Sequence, residues 1–128
     1  MIVLDDTVSR AQLEGLKPNF TELRNSVGDA GIRGVIVTCK GDIHSGAEVL
    51  SRFFAPWLGV DEDPVTGSAH SLLCPYWCKR LHRDHLQGPQ CSARGGDLTM
   101  EYNANENVVL IRGSAVTVIR GEILCDEE

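Results

Sequence analysis

Between Ser68 and Leu81 the apolar positions Ala69, Leu72, Leu73, Tyr76, Trp77 and Leu81 recur at three- and four-residue intervals, which predicts a helix. Ser71, Cys74 and Cys78 keep its other side fairly apolar too, so Leu72, Leu73 and Trp77 are all expected to be buried. Pro75 falls inside it and removes one backbone donor, which predicts a kink or a local irregularity. A shorter helix is expected from Phe20, where Phe20, Leu23 and Val27 share one stripe after Lys17-Pro18-Asn19, with Gly28 and Gly31 ending it. The β-branched run Gly34 to Thr38 and the segment Glu48 to Phe54, stopped by Ala55-Pro56, read as strands. After Leu86 the period becomes two. Strands are expected at Gln90–Ala93, Leu98–Tyr102, Val108–Ile111, Ala115–Ile119 and Glu122–Leu124, punctuated by Gly95-Gly96, Asn103-Ala104-Asn105, Gly113 and Gly121. One apolar helix among antiparallel strands predicts an α+β fold, with the sheet curled in barrel-like fashion around a central helix.

With 128 residues the expectation is a single domain with one core. A net charge of −6 leaves no basic face for phosphates, so nucleic acid is excluded as an expected partner. Nothing approaches the roughly 20 apolar residues of a membrane span, and the start Met1-Ile2-Val3-Leu4-Asp5-Asp6 has no leader pattern. The expectation is a soluble, cytoplasmic protein with no membrane partner. Five cysteines in no repeated spacing suit a reducing compartment. Cys74 and Cys78 would share one helical face, but a zinc site usually pairs two such elements and there is no second pair, so no metal is expected.

Candidate chemistry lies where Asp61, Glu62 and Asp63 precede Thr66-Gly67-Ser68 at the start of the long helix. The first N–H groups of a helix lack intrahelical partners and carry the positive end of its dipole, so Gly67, Ser68 and Ala69 can receive a carboxylate. Gly67 allows close approach. Asp63, held by Pro64, can orient a substrate or share a proton with a second acid. The residues alone leave a second reading open. On that reading Asp63 or Thr66 is a helix cap, His70 a structural histidine, and Arg52 the partner of Glu48, Glu62 or another acid.

The order SRFFAP, GVDEDPVTGSAH, PYW, QCSARGG and IRGSAVTVIRG resembles the C-terminal domain of PhzF-family (phenazine biosynthesis-like) proteins along the whole chain. The resemblance implies a diaminopimelate-epimerase-like fold of two similar domains with the active site between them. It implies a cofactor-independent isomerase acting on a small carboxylic acid by proton transfer. Asp63 and Ser68 match the family's catalytic aspartate and serine, and Thr66, Gly67, Ser68, Ala69 and His70 match its substrate-binding stretch. Related epimerases carry a catalytic cysteine where this chain has Thr66, so two-thiol chemistry is not implied. The family's glutamate acid/base and Gly-His-Ala-Thr-like motif belong to an N-terminal domain absent from this sequence. The chain is therefore expected to pair with that domain or to form a homodimer, with Phe54 and Trp57 near the shared face. The alternative is a non-catalytic half-size binding or interaction module.

Overall fold

Two central strands buried on both faces organise the first sheet of the computed structural model, which describes residues 1–26 and 31–124. The first sheet has the order β1-β2-β3-β4, formed by Ile2–Val3, Val35–Lys40, Val49–Ala55 and Val60–Asp63. β1 runs parallel to β2, and the remaining pairs are antiparallel. One face, through Ile36 and Val49, packs on the long helix α3, Gly67–Leu81. The opposite face, through Val37, Cys39, Leu50 and Phe54, is covered by Leu13 of α1 (Arg10–Glu14) and by Phe20 and Leu23 of α2 (Phe20–Asn25). Such a two-sided strand reads as a continuous apolar run rather than an alternation.

On its other side α3 meets a second sheet, the antiparallel order β5-β6-β7 of His85–Gln87, Leu98–Asn103 and Val108–Gly113. Leu86 and Met100 pack there against Leu73, Cys74 and Trp77. Burying Leu73, which is fully inaccessible, stabilises the fold by about 2 kcal/mol. Trp77 donates its indole N–H to Thr38 Oγ1 at 3.0 Å, and Thr38 in turn donates to the Leu50 carbonyl at 2.7 Å, so no polar atom of this pair is stranded.

The mixed α+β class stands, as two separate sheets with α3 between them rather than one closed barrel. Several expectations need correction. Leu72 is 64% exposed, because the buried stripe of α3 runs through Ala69, His70, Leu73, Cys74, Trp77 and Cys78 and leaves Leu72 beside Ser68 and Ser71. Phe54 is in the core against Phe20, with ring centroids 5.9 Å apart, and is not on an open face. Gln90–Ala93 is not a strand: Gln90 makes only isolated bridges to Ser51 and Gly96. Ala115–Ile119 and Glu122–Leu124 are not strands either, since no described strand lies beside them to complete their backbone bonds. Val116, Val118, Ile119, Ile123 and Leu124 are consequently 84–93% exposed. α2 ends at Asn25 among the described residues, and the Val27 and Gly28 part of its expected stripe lies outside them, as does Cys125.

Candidate functional site

The acids that adjoin one another in sequence separate in space: alternation turns Glu62 to the opposite face from Asp63, and a register shift between Phe53 and Ala55 interrupts the regular pairing at Asp61. Asp61 meets Arg24 Nη1 at 3.2 Å, and Glu62 forms a two-point pair with Arg52. Only Asp63, the last residue of β4, stays with the turn into α3, fixed beside Phe53 by the sheet register.

Thr66 is the N-cap residue of α3 with extended backbone angles, φ −118° and ψ 100°, yet its side chain makes no capping bond. Its hydroxyl donates to Asp63 Oδ2 instead. Among the described residues, the orphan amides of the first turn, which an N-cap oxygen ordinarily satisfies, are thus left without an N-cap acceptor. Gly67 and Ser68 are exposed there, Ala69 is buried behind them, and a Cβ added at Gly67 would meet nothing within 4 Å. Open space, free donors and the helix dipole coincide at this point.

His70 turns inward and is 1% exposed. Its Nδ1 donates to the Thr66 carbonyl at 2.7 Å, since a carbonyl can only accept, and its Nε2 lies 3.4 Å from Ser51 Oγ. Burial pushes the imidazole below its usual range, and hydrogen bonds with the backbone of Thr66 and Gly88 pull the other way. Thr66 and His70 therefore brace the turn from below, while Asp63, Gly67 and Ser68 form its outer surface.

Sequence reasoning assigned no role to the segment that touches this turn from the side. Gln90, 1% exposed, accepts from Thr66 N at 2.8 Å and donates from Nε2 to the Asp63 carbonyl at 2.6 Å and to Thr66 Oγ1 at 3.2 Å. Ser92 Oγ donates to the Pro64 carbonyl at 2.8 Å. The signal was present in the QCSARGG string, but its contacts span 24 to 28 residues and no local pattern encodes them. A groove of about 840 Å³ lies elsewhere, around the C-terminal half of α3 between Tyr76, His82 and Tyr102, and shares no residue with the turn. Cys74 and Cys78, read as a helical pair, place their Sγ atoms 3.7 Å apart inside the core, and burial pushes the Cys74 thiol up to about 12. No helix of the described residues is long and apolar enough to cross a membrane.

Comparison with known proteins places this chain in a family. Residues 1–121 match the family profile described as "Phenazine biosynthesis-like protein". The "Phenazine biosynthesis-like domain-containing protein" of Bos taurus is 40% identical over 126 residues, covering 96% of this chain and 43% of the relative. A Pseudomonas aeruginosa protein named "Uncharacterized isomerase PA3578" is 53% identical over 91 residues, covering 71% of this chain and 33% of the relative. Among solved structures, a phenazine biosynthesis protein of the PhzF family from Enterococcus faecalis superposes with a TM-score of 0.66 at 40% identity, covering 80% of this chain and 36% of that one. The chain spans less than half the length of the curated relatives it matches.

Proposed function

The chain belongs to the phenazine biosynthesis-like protein family, and from that premise we propose that it is the substrate-anion half of a cofactor-independent isomerase acting on a small carboxylic acid. The observation that carries this reading is the uncapped start of α3: Thr66 gives its hydroxyl to Asp63, and the outward amides of Gly67 and Ser68 remain for a ligand. In this proposal the substrate carboxylate sits on those amides, with Ala69 closing the turn and Ser68 Oγ as a further donor. Asp63 sits within reach of the bound acid and takes part in proton transfer with a second acid/base on an opposing wall. Thr66 and His70 act through the turn they brace. The naming of the P. aeruginosa relative as an isomerase supports the reaction class.

The opposing wall is proposed to come from an N-terminal domain or from a second copy of this chain. The exposed apolar residues from Val116 to Leu124 support such pairing. In the completed pair the two sheets around α3 are read as one barrel-like half of a diaminopimelate-epimerase-like fold. The same apolar tail favours the second reading, a non-catalytic interaction module.

One experiment separates the two. The chain is fused to the portion of the bovine relative that it does not match, and exchange of substrate carbon-bound hydrogen for deuterium is followed by NMR over a panel of small carboxylic acids. Exchange by the fusion that Asp63→Asn abolishes supports the isomerase reading. A folded fusion that exchanges none of the panel favours the module, and exchange unaffected by Asp63→Asn overturns the assignment of Asp63.

A further inference from the structure

We propose that Gln90 is a positioning residue for the anion site, acting with Ser92 and Gly96 as a clamp on the turn between β4 and α3. The inference rests on the reading of that turn as a carboxylate site and adds the element that holds it in shape. Residues 90–96 contact every residue of the turn. Gln90 bonds the Asp63 carbonyl, the Thr66 amide and the Thr66 hydroxyl. Ser92 bonds the Pro64 carbonyl, and Gly96 lies so near Val65 that an added Cβ would come within 2.5 Å of Val65 Cγ2. The loop is itself fixed from behind: Gln90 and Gly96 exchange two backbone bonds of 2.9 and 3.3 Å, Cys91 N donates to the Ser51 carbonyl at 2.7 Å, and Gly95 N donates to Ser92 Oγ at 2.9 Å.

The chemistry of the contacts explains why the residue is a glutamine. The turn presents one backbone donor, one backbone acceptor and one hydroxyl to the same buried spot, and a carboxamide carries both an acceptor and two donors. Its Nε2 donates to Thr66 Oγ1, whose own proton then goes to Asp63 Oδ2. This directs the hydroxyl away from the amides of α3 and keeps them uncapped. A carboxylate at position 90 would lose both donors, and an aliphatic chain would leave the Thr66 amide unpaired.

The test uses NMR on the whole chain, reading Thr66 amide hydrogen exchange and the affinity for acetate from the Gly67 and Ser68 amide shifts. Gln90→Leu is expected to speed Thr66 exchange and to weaken acetate binding, each by about ten-fold or more, as befits loss of a buried hydrogen-bond partner. Leu86→Ala, a core truncation away from the turn, controls for general destabilisation and is expected to change neither. Equal changes in both variants, an unchanged Thr66 amide in folded Gln90→Leu, or faster exchange with acetate affinity intact would each overturn the proposal. Wild-type chain that binds no acetate would defeat the carboxylate reading, while Thr66 exchange would still decide whether Gln90 clamps the turn. Should Gln90→Leu fail to fold, Ser92→Ala is read in the same way.

Discussion

Arg52 and Glu62 form a two-point ion pair across β3 and β4, with Nε to Oε1 at 2.7 Å and Nη2 to Oε2 at 2.9 Å. The same guanidinium sends Nη1 to the carbonyls of Leu13, Glu14 and Leu16 at 3.1, 3.1 and 2.8 Å, ending α1, and lies 4.8 Å from the centre of the Phe54 ring. All of its donor nitrogens are used, and Arg52 is 7% exposed. It ties α1, β3 and β4 together. Arg52→Met removes a side-chain donor from three carbonyls, of which Leu13 keeps a backbone donor, and from a half-buried carboxylate, so a loss of roughly 3 kcal/mol is expected in urea unfolding. Arg52→Lys should recover little of it, because an ammonium cannot reproduce the planar fork.

Gly67 separates folding from binding. Its backbone does not lie in the left-handed region and an added Cβ touches nothing, so Gly67→Ala is expected to be neutral or to stabilise by up to about 1 kcal/mol. Gly67→Val should also fold, yet crowd the approach of a carboxylate to the amides of the first turn. Thermal unfolding and acetate titration on the two variants check this. Folded Gly67→Val that binds acetate as well as wild type would remove the proposed anion position.

Buried His70 predicts a pH dependence whose sign follows from linkage. Its folded-state value lies below the ordinary 6.5, so on acidification the unfolded chain takes up a proton before the folded one does. Stability attributable to this group is complete above about pH 6.5 and falls as pH drops from there towards the folded-state value, by at most about 1.4 kcal/mol per pH unit. Urea midpoints between pH 7.5 and 5 should show this slope, and His70→Gln should flatten it. An identical slope in both proteins would place the titration elsewhere.

Local pattern made the long helix legible to within one residue, expected from Ser68 and found from Gly67, because three- and four-residue spacing survives any tertiary context. The central strands β2 and β3 were legible from the β-branched run after Gly34 and from the segment that Ala55-Pro56 stops. β4 was not, since its sequence Val-Asp-Glu-Asp has no apolar signature and is a strand only because β3 pairs with it. α1 had a local signal, the Ser9 and Gln12 capping box, which the hydrophobic pattern passed over. At the site, the motif around Asp63 was visible but its clamp was not. Gln90 reads as one more polar residue in a strand-like run until contacts with residues 63 and 66 are known.

The core thiols should be inert. Burial pushes Cys39 up to about 11 and Cys74 to about 12, leaving almost no thiolate at pH 8. Iodoacetamide at that pH is expected to label both at least about 100-fold more slowly in the native chain than in urea, read by peptide mass spectrometry. Rapid native labelling of Cys74 would mean that α3 opens far more readily than its packing between two sheets allows.

The tightest contact beneath the turn gives a prediction with its own rescue. Gly96 occupies the space against Val65, where a new methyl group would lie 2.5 Å from Cγ2. Val65 is part of the turn between Pro64 and Thr66, so it can retreat only by moving the residues that Gln90 and Ser92 hold. Gly96→Ala is therefore expected to cost about 1–3 kcal/mol, the usual penalty of overpacking, and to weaken acetate binding with it. Val65→Ala removes the offending methyl groups and should cost little by itself, because Val65 is half-buried. In the double variant the two changes should compensate, giving a coupling energy of at least about 1 kcal/mol in urea unfolding and restoring acetate affinity. Strict additivity would mean that Gly96 is required for its own backbone rather than for the valine across from it, and the clamp would then lose its third contact.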